Sequence, residues 1–437
     1  MKKFFGTDGY RGVANVDLTA DYAYLIGRFL ALKDFKRKRI LIAKDTRVSS
    51  DMIEHALITG ILVSGGDAFC LGVTSTPCMA YLTSKHEFDY GVMISASHNP
   101  YYDNGIKIFS KEGIKISDTQ EKIIEQYLNK YQDNIPKASS LEIGRSYDVK
   151  DYIDEYVDYL LSIYDFKNSK QNFVLDLANG ALCPINDKFN FSNVISAQPS
   201  GFNINENCGA TSLNHLSSTL KEQNLPFGFA FDGDGDRLQG VLYDGTIISG
   251  DQILFLLGNY FKKKNELKEN GVVITVMTNM GLIKYFDKVG IKYSIVGVGD
   301  RPVQEEMDKK GYVLGGEQSG HIIINKYLPT GDGLLTFALI LKVIEEENKS
   351  LKDLVKDLYI YPQILENVKV EDKTIIQHDE FKTYLSNCIF SLGDKGRILV
   401  RPSGTEKLIR VMVEAEEEEV AIRYTSLLVN KIKSMIK

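Results

Sequence analysis

Two apolar periods alternate along the first part of the chain. In "TADYAYLIGRFLAL" (19–32), Tyr22, Leu25, Ile26, Phe29 and Leu30 recur three and four residues apart, which is one face of a helix with Thr19 as N-cap. "RILIAKDTR" (39–47) is a short unbroken apolar run, as a buried strand requires, and "SSDMIEHALITGILVSGG" (49–66) is a second helix ending at glycine. Strands near 68–73 and 88–96 follow. This alternation predicts a mostly parallel sheet covered on both faces. The strand at 88–96 runs directly into "SASHNP", where Pro100 marks a loop and Asn104-Gly105 a turn. Ser97 and His98 are therefore expected where a sheet opens into solvent, a common place for ligand sites in α/β folds.

Residues 130–150 are polar and charge-rich and read as a linker. A second α/β block follows, with helix 151–164, strand 172–180 and strand 227–237, then an Asp244-Gly245 hairpin turn. The third block holds helix 250–263, strand 271–279, helix 281–289, the strands "KYSIVGVGD" and "GYVLGGEQSG", and helix 331–346. The last stretch changes pattern, to strands around "ILENVKVE" and "GRILVRPSGTEKLIRVMVEA" and a helix over 416–437. The expected fold is three mixed or mostly parallel α/β domains (1–150, 151–248, 249–361) followed by a C-terminal α+β domain with an antiparallel sheet (362–437).

Composition narrows the partners. The chain of 437 residues carries 52 basic and 58 acidic side chains, a net charge of −6, so no bulk field favours nucleic acid or an anionic membrane. Five cysteines are scattered and never form a C-x-x-C pair, which argues against a disulfide framework and against zinc. The start "MKKFFGTDGYRG" has no apolar core of a secretory signal, and no apolar run approaches a membrane span; a cytoplasmic location is expected.

The chemistry concentrates in a few short stretches. "DGDGDR" delivers Asp232, Asp234 and Asp236 from an apolar strand, with glycines that let three carboxylates converge on one hard cation. Such crowding is unfavourable unless a divalent ion neutralises it. An EF-hand is excluded, because its sixth and twelfth positions would be Arg237 and Tyr243; a Mg²⁺-type site remains. "RPSGTEKLIR" (401–410) offers Arg401, Ser403, Gly404, Thr405 and Arg410 as donors suited to phosphate oxygens, although "PSGT" alone reads equally as a hairpin loop. Glu317 and Ser319 in "GGEQSGH" are two apart and would share a side in an extended segment, an acceptor and a hydroxyl suited to sugar hydroxyls. No P-loop, dinucleotide fingerprint or nucleophile elbow is present. His98 beside Ser97 is not by itself a triad, since neighbours in a strand diverge. "GTDGYRG" (6–12) is a glycine-framed loop carrying Arg11, and alone it reads equally as a solvated turn.

Taken together, "GTDGYRG", "SASHNP", "DGDGDR", "GEQSG" and "RPSGTE" resemble the motifs of the α-D-phosphohexomutase family, in the family's order and across the whole chain. The resemblance implies an isomerase in which Ser97 carries a phosphoryl group to and from a sugar monophosphate. One Mg²⁺ per chain would be held by Asp232, Asp234, Asp236 and an oxygen on Ser97. A sugar 1,6-bisphosphate would be intermediate and activator, the only partner a small phosphosugar, and the assembly a homodimer. Three carboxylates and a phosphoserine exceed the charge of one Mg²⁺, so Arg11, Arg237 and Lys107 are the cations expected around it. Lys107 is the first choice for general acid–base, on the expectation that neighbouring cations lower its pKa, and His98 would orient groups at the phosphoserine. Glu317 and Ser319 would grip sugar hydroxyls, and the 401–410 loop would hold the phosphate not being transferred. Two positions depart from the family pattern: Tyr10 replaces a smaller aliphatic, and Lys407 stands where proline is usual.

Overall fold

The computed structural model describes residues 4–6, 8–32, 36–130, 133–403 and 407–436. Its strands, in chain order, are β1 (Tyr10–Val13), β2 (Arg39–Lys44), β3 (Asp67–Val73), β4 (Tyr90–Ile94), β5 (Asp103–Ser110) and β6 (Ser146–Asp148). Next come β7 (Phe173–Asp176), β8 (Val194–Ile195), β9 (Phe227–Phe231), β10 (Leu238–Leu242) and β11 (Ile247–Ile248). They are followed by β12 (Gly271–Thr275), β13 (Lys292–Val296), β14 (Leu314–Gly316), β15 (Ile322–Ile324) and β16 (Leu328–Gly331). The last three are β17 (Gln363–Lys369), β18 (Gly396–Pro402) and β19 (Leu408–Ala415).

These strands form four sheets, in the orders β1-β5-β4-β2-β3-β6, β11-β10-β9-β7-β8, β13-β12-β14-β15-β16 and β17-β19-β18. The first three mix parallel and antiparallel pairs, and the last is wholly antiparallel. The mixed α/β class ending in an antiparallel sheet is the one the apolar pattern implied. Two compact units are distinguished: the chain to Met277 together with Ile291–Val355, and Thr278–Gly290 together with the chain from Lys356.

In the first unit, the helices Ala20–Leu30 and Val48–Val63 bury Leu25, Ile26, Leu57 and Ile61 against Ile40, Ile42, Val92 and Ile94 of the sheet. Full burial of each such side chain contributes about 1.5–3 kcal/mol. Phe337, on the helix Gly333–Glu347, packs on Phe173 at 4.9 Å and Phe229 at 5.5 Å, and so ties that helix to the second sheet. The Asp244-Gly245 turn joins β10 to β11 as its sequence predicts, with Gly245 at φ 90°. In the second unit, Asn279, the N-cap of the helix Met280–Val289, donates to Tyr361 O and accepts from Tyr361 N, both at 2.9 Å.

Three expectations fail. Asn104-Gly105 is not a turn; it lies inside β5, facing Gly12 and Arg11 of β1. There the buried Asn104 amide donates to the Ser49 and Ser50 hydroxyls, and Gly105 is needed because a Cβ would come within 2.4 Å of Ser95 O. Arg11 accordingly sits on a strand rather than in a loop. The 130–150 stretch is not a free linker. Arg28, fully buried, pairs with Asp133 at 2.9 Å and donates to Ile135 O, while Ser146–Asp148 extends the first sheet beside β3.

Candidate active site

The parallel strands β4 and β2 end side by side, and the loops leaving them build the site. After Ile94 the chain turns through Ser95 and Ala96 to Ser97, which is fully buried and adopts a left-handed backbone with φ 52°. A non-glycine residue there carries strain on the order of 1–3 kcal/mol, which persists only where the surroundings impose it. Because of that turn the side chains of Ser97 and His98 do not diverge: His98 Nδ1 lies 3.2 Å from Ser97 Oγ. The expectation drawn from strand geometry is corrected accordingly.

Ser97 Oγ donates to Asp232 Oδ2 at 2.5 Å. β9 ends at Phe231, and the tight turn after it brings one oxygen each of Asp232, Asp234 and Asp236 within 4.8 Å of one another. Gly233 allows this approach, since a Cβ there would meet Ser97 O at 2.6 Å. The cluster fits a hard divalent cation: all three carboxylates are buried, and Asp234 Oδ1 and Asp236 Oδ1 have no hydrogen-bond partner among the described residues.

Cations surround the carboxylates. Lys107, buried on β5 opposite Met93 of β4, lies 2.7 Å from Asp234, 3.2 Å from Asp236 and 3.1 Å from Asp8. Arg237 Nε stands 4.0 Å from Asp232 and 3.9 Å from Asp236, and has no hydrogen-bond partner among the described residues. Arg11 pairs with Asp8 and reaches Asn99 Oδ1 at 3.3 Å. Lys115 bridges Asp8 and Asp300. Asp8 thus holds Arg11, Lys107 and Lys115 together, although sequence reading did not single it out. The aspartate in "GTDG" was the available signal.

Burial and charge separate the ionisations. Burial, then Asp236 and Asp234, raise Asp232 well above the usual carboxylate range against the pull of Arg237. Burial also opposes the charge on Asp236, but Lys107, His321 and Arg237 outweigh it and hold the group at about 2. Lys107 does not have the lowered pKa expected of it. Burial works against its charge, yet Asp234, Asp236 and Asp8 raise it well above the normal lysine value, because its neighbours are carboxylates rather than cations. Burial, then Arg237 and Arg11, push His98 down to about 4.

His98 should therefore titrate by NMR with a midpoint near 4, and a midpoint near the ordinary imidazole value would contradict this packing. The unfolded chain takes up the proton first. The stability linked to His98 is thus fully present above the unfolded value of ~6.5 and is lost as pH falls through the folded value.

The Glu317–Ser319 segment is not extended. Gly320 N donates to Glu317 O at 3.0 Å, closing a turn, so the alternation argument does not apply. Glu317 is buried and accepts from Gly299 N at 2.9 Å, Ser319 Oγ is buried without a hydrogen-bond partner among the described residues, and Leu238 N donates to Gly320 O, which sets the turn beside Arg237. In the second unit, Arg401 and Arg410 face each other across β18 and β19. Burial, then Arg410, lower the pKa of Arg401, and opposed like charges of this kind suit an anion. Ser403 accepts from Lys373 Nζ at 2.7 Å through its carbonyl, and Lys407 pairs with Glu371. Gly404 and Thr405 lie outside the described residues.

Known proteins resemble this chain in sequence and fold. Residues 2–134, 249–361 and 365–429 match the phosphoglucomutase/phosphomannomutase alpha/beta/alpha domain I, alpha/beta/alpha domain III and C-terminal domain respectively. The chain belongs to the phosphoglucomutase/phosphomannomutase family. A protein of Lachnospira eligens named phosphoglucosamine mutase is 45% identical over 99% of both chains, and one of Staphylococcus carnosus is 44% identical over 99% of this chain and 98% of its own. Such relatives identify an intramolecular phosphotransferase of the phosphohexomutase kind.

Solved structures agree on the fold. A phosphoglucomutase/phosphomannomutase family protein of Burkholderia thailandensis superposes with TM-score 0.80 at 22% identity, covering 100% of this chain and 98% of that one. An Aspergillus fumigatus N-acetylphosphoglucosamine mutase, solved with GlcNAc-6P and magnesium, gives TM-score 0.71 at 16% identity, covering 98% and 95%. Among the described residues no helix is long and apolar enough to cross a membrane.

Proposed function

We propose that this phosphohexomutase interconverts glucosamine 6-phosphate and glucosamine 1-phosphate, through a phosphoserine at Ser97 and a glucosamine 1,6-bisphosphate intermediate. The observation that carries the reading is the buried Ser97 hydroxyl, 2.5 Å from Asp232 within the aspartate cluster, in a chain whose 42–45% identical relatives bear the name phosphoglucosamine mutase. The stretches "FGTDG", "NINENCGATS" and "GEQSGH" lean the same way. The product would feed UDP-N-acetylglucosamine synthesis, and a cytoplasmic location and homodimeric assembly go with this reading.

In this reading Asp232, Asp234, Asp236 and an oxygen on Ser97 would hold Mg²⁺, which when bound supplies positive charge to the oxygens of the phosphoryl group in transit. The chain's own residues do the rest. Arg11 and Arg237 would face the incoming anion, and Arg237 Nε has no hydrogen-bond partner among the described residues. Lys107 enters charged, with a raised affinity for its proton, so its role begins as proton donor to the departing oxygen and as counter-ion. His98, neutral at physiological pH, stands within reach of the Ser97 hydroxyl and orients it. Glu317 and Ser319 would bind sugar hydroxyls, and Arg401, Ser403, Gly404, Thr405 and Arg410 the distal phosphate.

The alternative is phosphoglucomutase or phosphomannomutase activity, because a single amino group at C2 requires no motif of its own. Glucosamine, glucose and mannose 6-phosphates, each supplied with a trace of sugar bisphosphate and Mg²⁺, separate the two readings. The glucosamine substrate should be converted with the highest kcat/KM, and faster conversion of either other sugar overturns the specificity.

A further inference from the structure

Besides the groups assigned to chemistry, two side chains from separate loops close on the backbone of the Ser97 turn. Arg47 precedes the helix Val48–Val63 as its N-cap residue, and its guanidinium is buried. Arg47 Nη2 donates to Ser97 O at 2.9 Å and Asn99 O at 2.8 Å, while Nη1 donates to Asp103 O at 3.0 Å and also to Pro100 O. Asn205, from the "NINENCGATS" stretch, donates through Nδ2 to the same two carbonyls, Ser97 O at 2.9 Å and Asn99 O at 3.1 Å.

The other face of the Ser97 peptide is held by the same group of residues. Ser97 N donates to Ser95 Oγ at 2.9 Å, and Ser95 Oγ donates to Asp45 Oδ2 at 2.6 Å. That same oxygen accepts from Arg47 Nε at 2.8 Å. The hydrogen bonds form a closed ring from the N–H of Ser97 to its own C=O, and Asn205 adds a second donor from a different sheet's loops.

We propose that Arg47 and Asn205 are positioning residues for the phosphoryl carrier, which hold Ser97 in its left-handed conformation so that its oxygen stays on the aspartate cluster. The inference rests on the reading of Ser97 as that carrier. The physical need is specific. A phosphorylated Ser97 would bring about −2 of charge against Asp232, Asp234 and Asp236, and repulsion would swing an unclamped, strained turn away from them. Four donor contacts on two carbonyls oppose that swing.

Asn205 gives the cleaner test. It lies at φ 59°, a conformation that aspartate tolerates and glycine adopts freely, so Asn205→Asp and Asn205→Gly remove the donor without forcing the backbone. The two variants differ in charge, and a shared effect is therefore due to the lost donor. Both should lose about 10- to 100-fold in kcat with KM within about twofold, which is the signature of a misplaced reacting group. Their thermal midpoints should stay close to that of the parent protein. Arg47→Lys, which keeps one charged donor, should retain more activity than Arg47→Met.

Labelling with ³²P-sugar bisphosphate separates the two ideas. Label on Ser97 in the parent protein, with kcat unchanged in both Asn205 variants, overturns the positioning role alone. Label on another residue overturns the carrier reading and this inference with it. A kcat loss that only follows the folded fraction marks a structural role and also overturns the inference.

Discussion

Ser97→Ala should lower mutase turnover by ~10⁴-fold or more, equivalent to about 5.5 kcal/mol of barrier. The hydroxyl is fully buried and donates to Asp232, so no solvent molecule held in its place would be covalently fixed to accept and return a phosphoryl group. Alanine enters the left-handed region about as poorly as serine, so the exchange adds little backbone strain. The aspartates remain, and the variant should still be stabilised by Mg²⁺ in thermal melts while taking no ³²P from sugar bisphosphate. A variant that isomerises at the parent rate removes Ser97 from the reaction.

Asp232→Asn should abolish most activity and at the same time stabilise the protein in the absence of divalent ions. Lys107 compensates Asp234 at 2.7 Å and Asp236 at 3.2 Å, whereas among the described residues Asp232 has its ion pair with Arg237 at 4.0 Å. Burial and the neighbouring aspartates therefore raise its pKa. With a folded value above the unfolded one, its favourable contribution is present below ~3.9 and is lost as pH rises through the folded value. Above ~3.9, burial and repulsion from the neighbouring aspartates make this group oppose folding. An amide keeps an acceptor for Arg237 N and relieves that repulsion, for a gain on the order of 1 kcal/mol in denaturant titrations with chelator. The parent protein should instead gain from Mg²⁺, by about 2.7 kcal/mol at a hundred times the dissociation constant, a response the variant loses in large part. Turnover should fall by ~10³-fold or more, since charge stabilisation by a metal is worth several kcal/mol. Full activity in chelator, or no effect of Mg²⁺ on the parent's stability, would remove the metal from the account.

Sequence reading was accurate where local pattern and local structure coincide. The apolar runs at 39–47, 227–237 and 271–279 contain β2, β9 and β12, and the helix expected over 250–263 is Gly250–Lys263. It missed the helix Thr76–Lys85 although Ser75 and Pro77 announce its start, and Ser75 accepts from Cys78 N as a cap should. The polar helices Asp118–Lys130 and Asp300–Lys310 escaped because few apolar residues mark their buried faces. Asn104-Gly105 misled because its turn propensity is overridden by the Ser49 and Ser50 hydroxyls, contributed from more than fifty residues away.

The site divides along the same line. Ser97 and the three aspartates are contiguous motifs whose crowding is legible in one dimension. Arg47, Asp8 and Asn205 have short-range partners at most in part, and the contacts that give them a place at the site come from other loops, which no window of sequence contains. The Lys107 pKa was misjudged for that reason, since its direction depends on which charges the fold sets beside it.

Ser97 and Lys107 belong to one antiparallel ribbon: Met93 pairs with Lys107, Ile94 with Ile106, and Ser95 N bonds Gly105 O at 3.0 Å before the chain reaches Ser97. Their separation is thus set by ladder hydrogen bonds rather than by flexible side-chain reach. A reaction that must address two opposite ends of one sugar cannot then be served by the anvil shifting. With Ser97 as the proposed carrier, the hexose, turned end for end between strokes, would have to supply the movement.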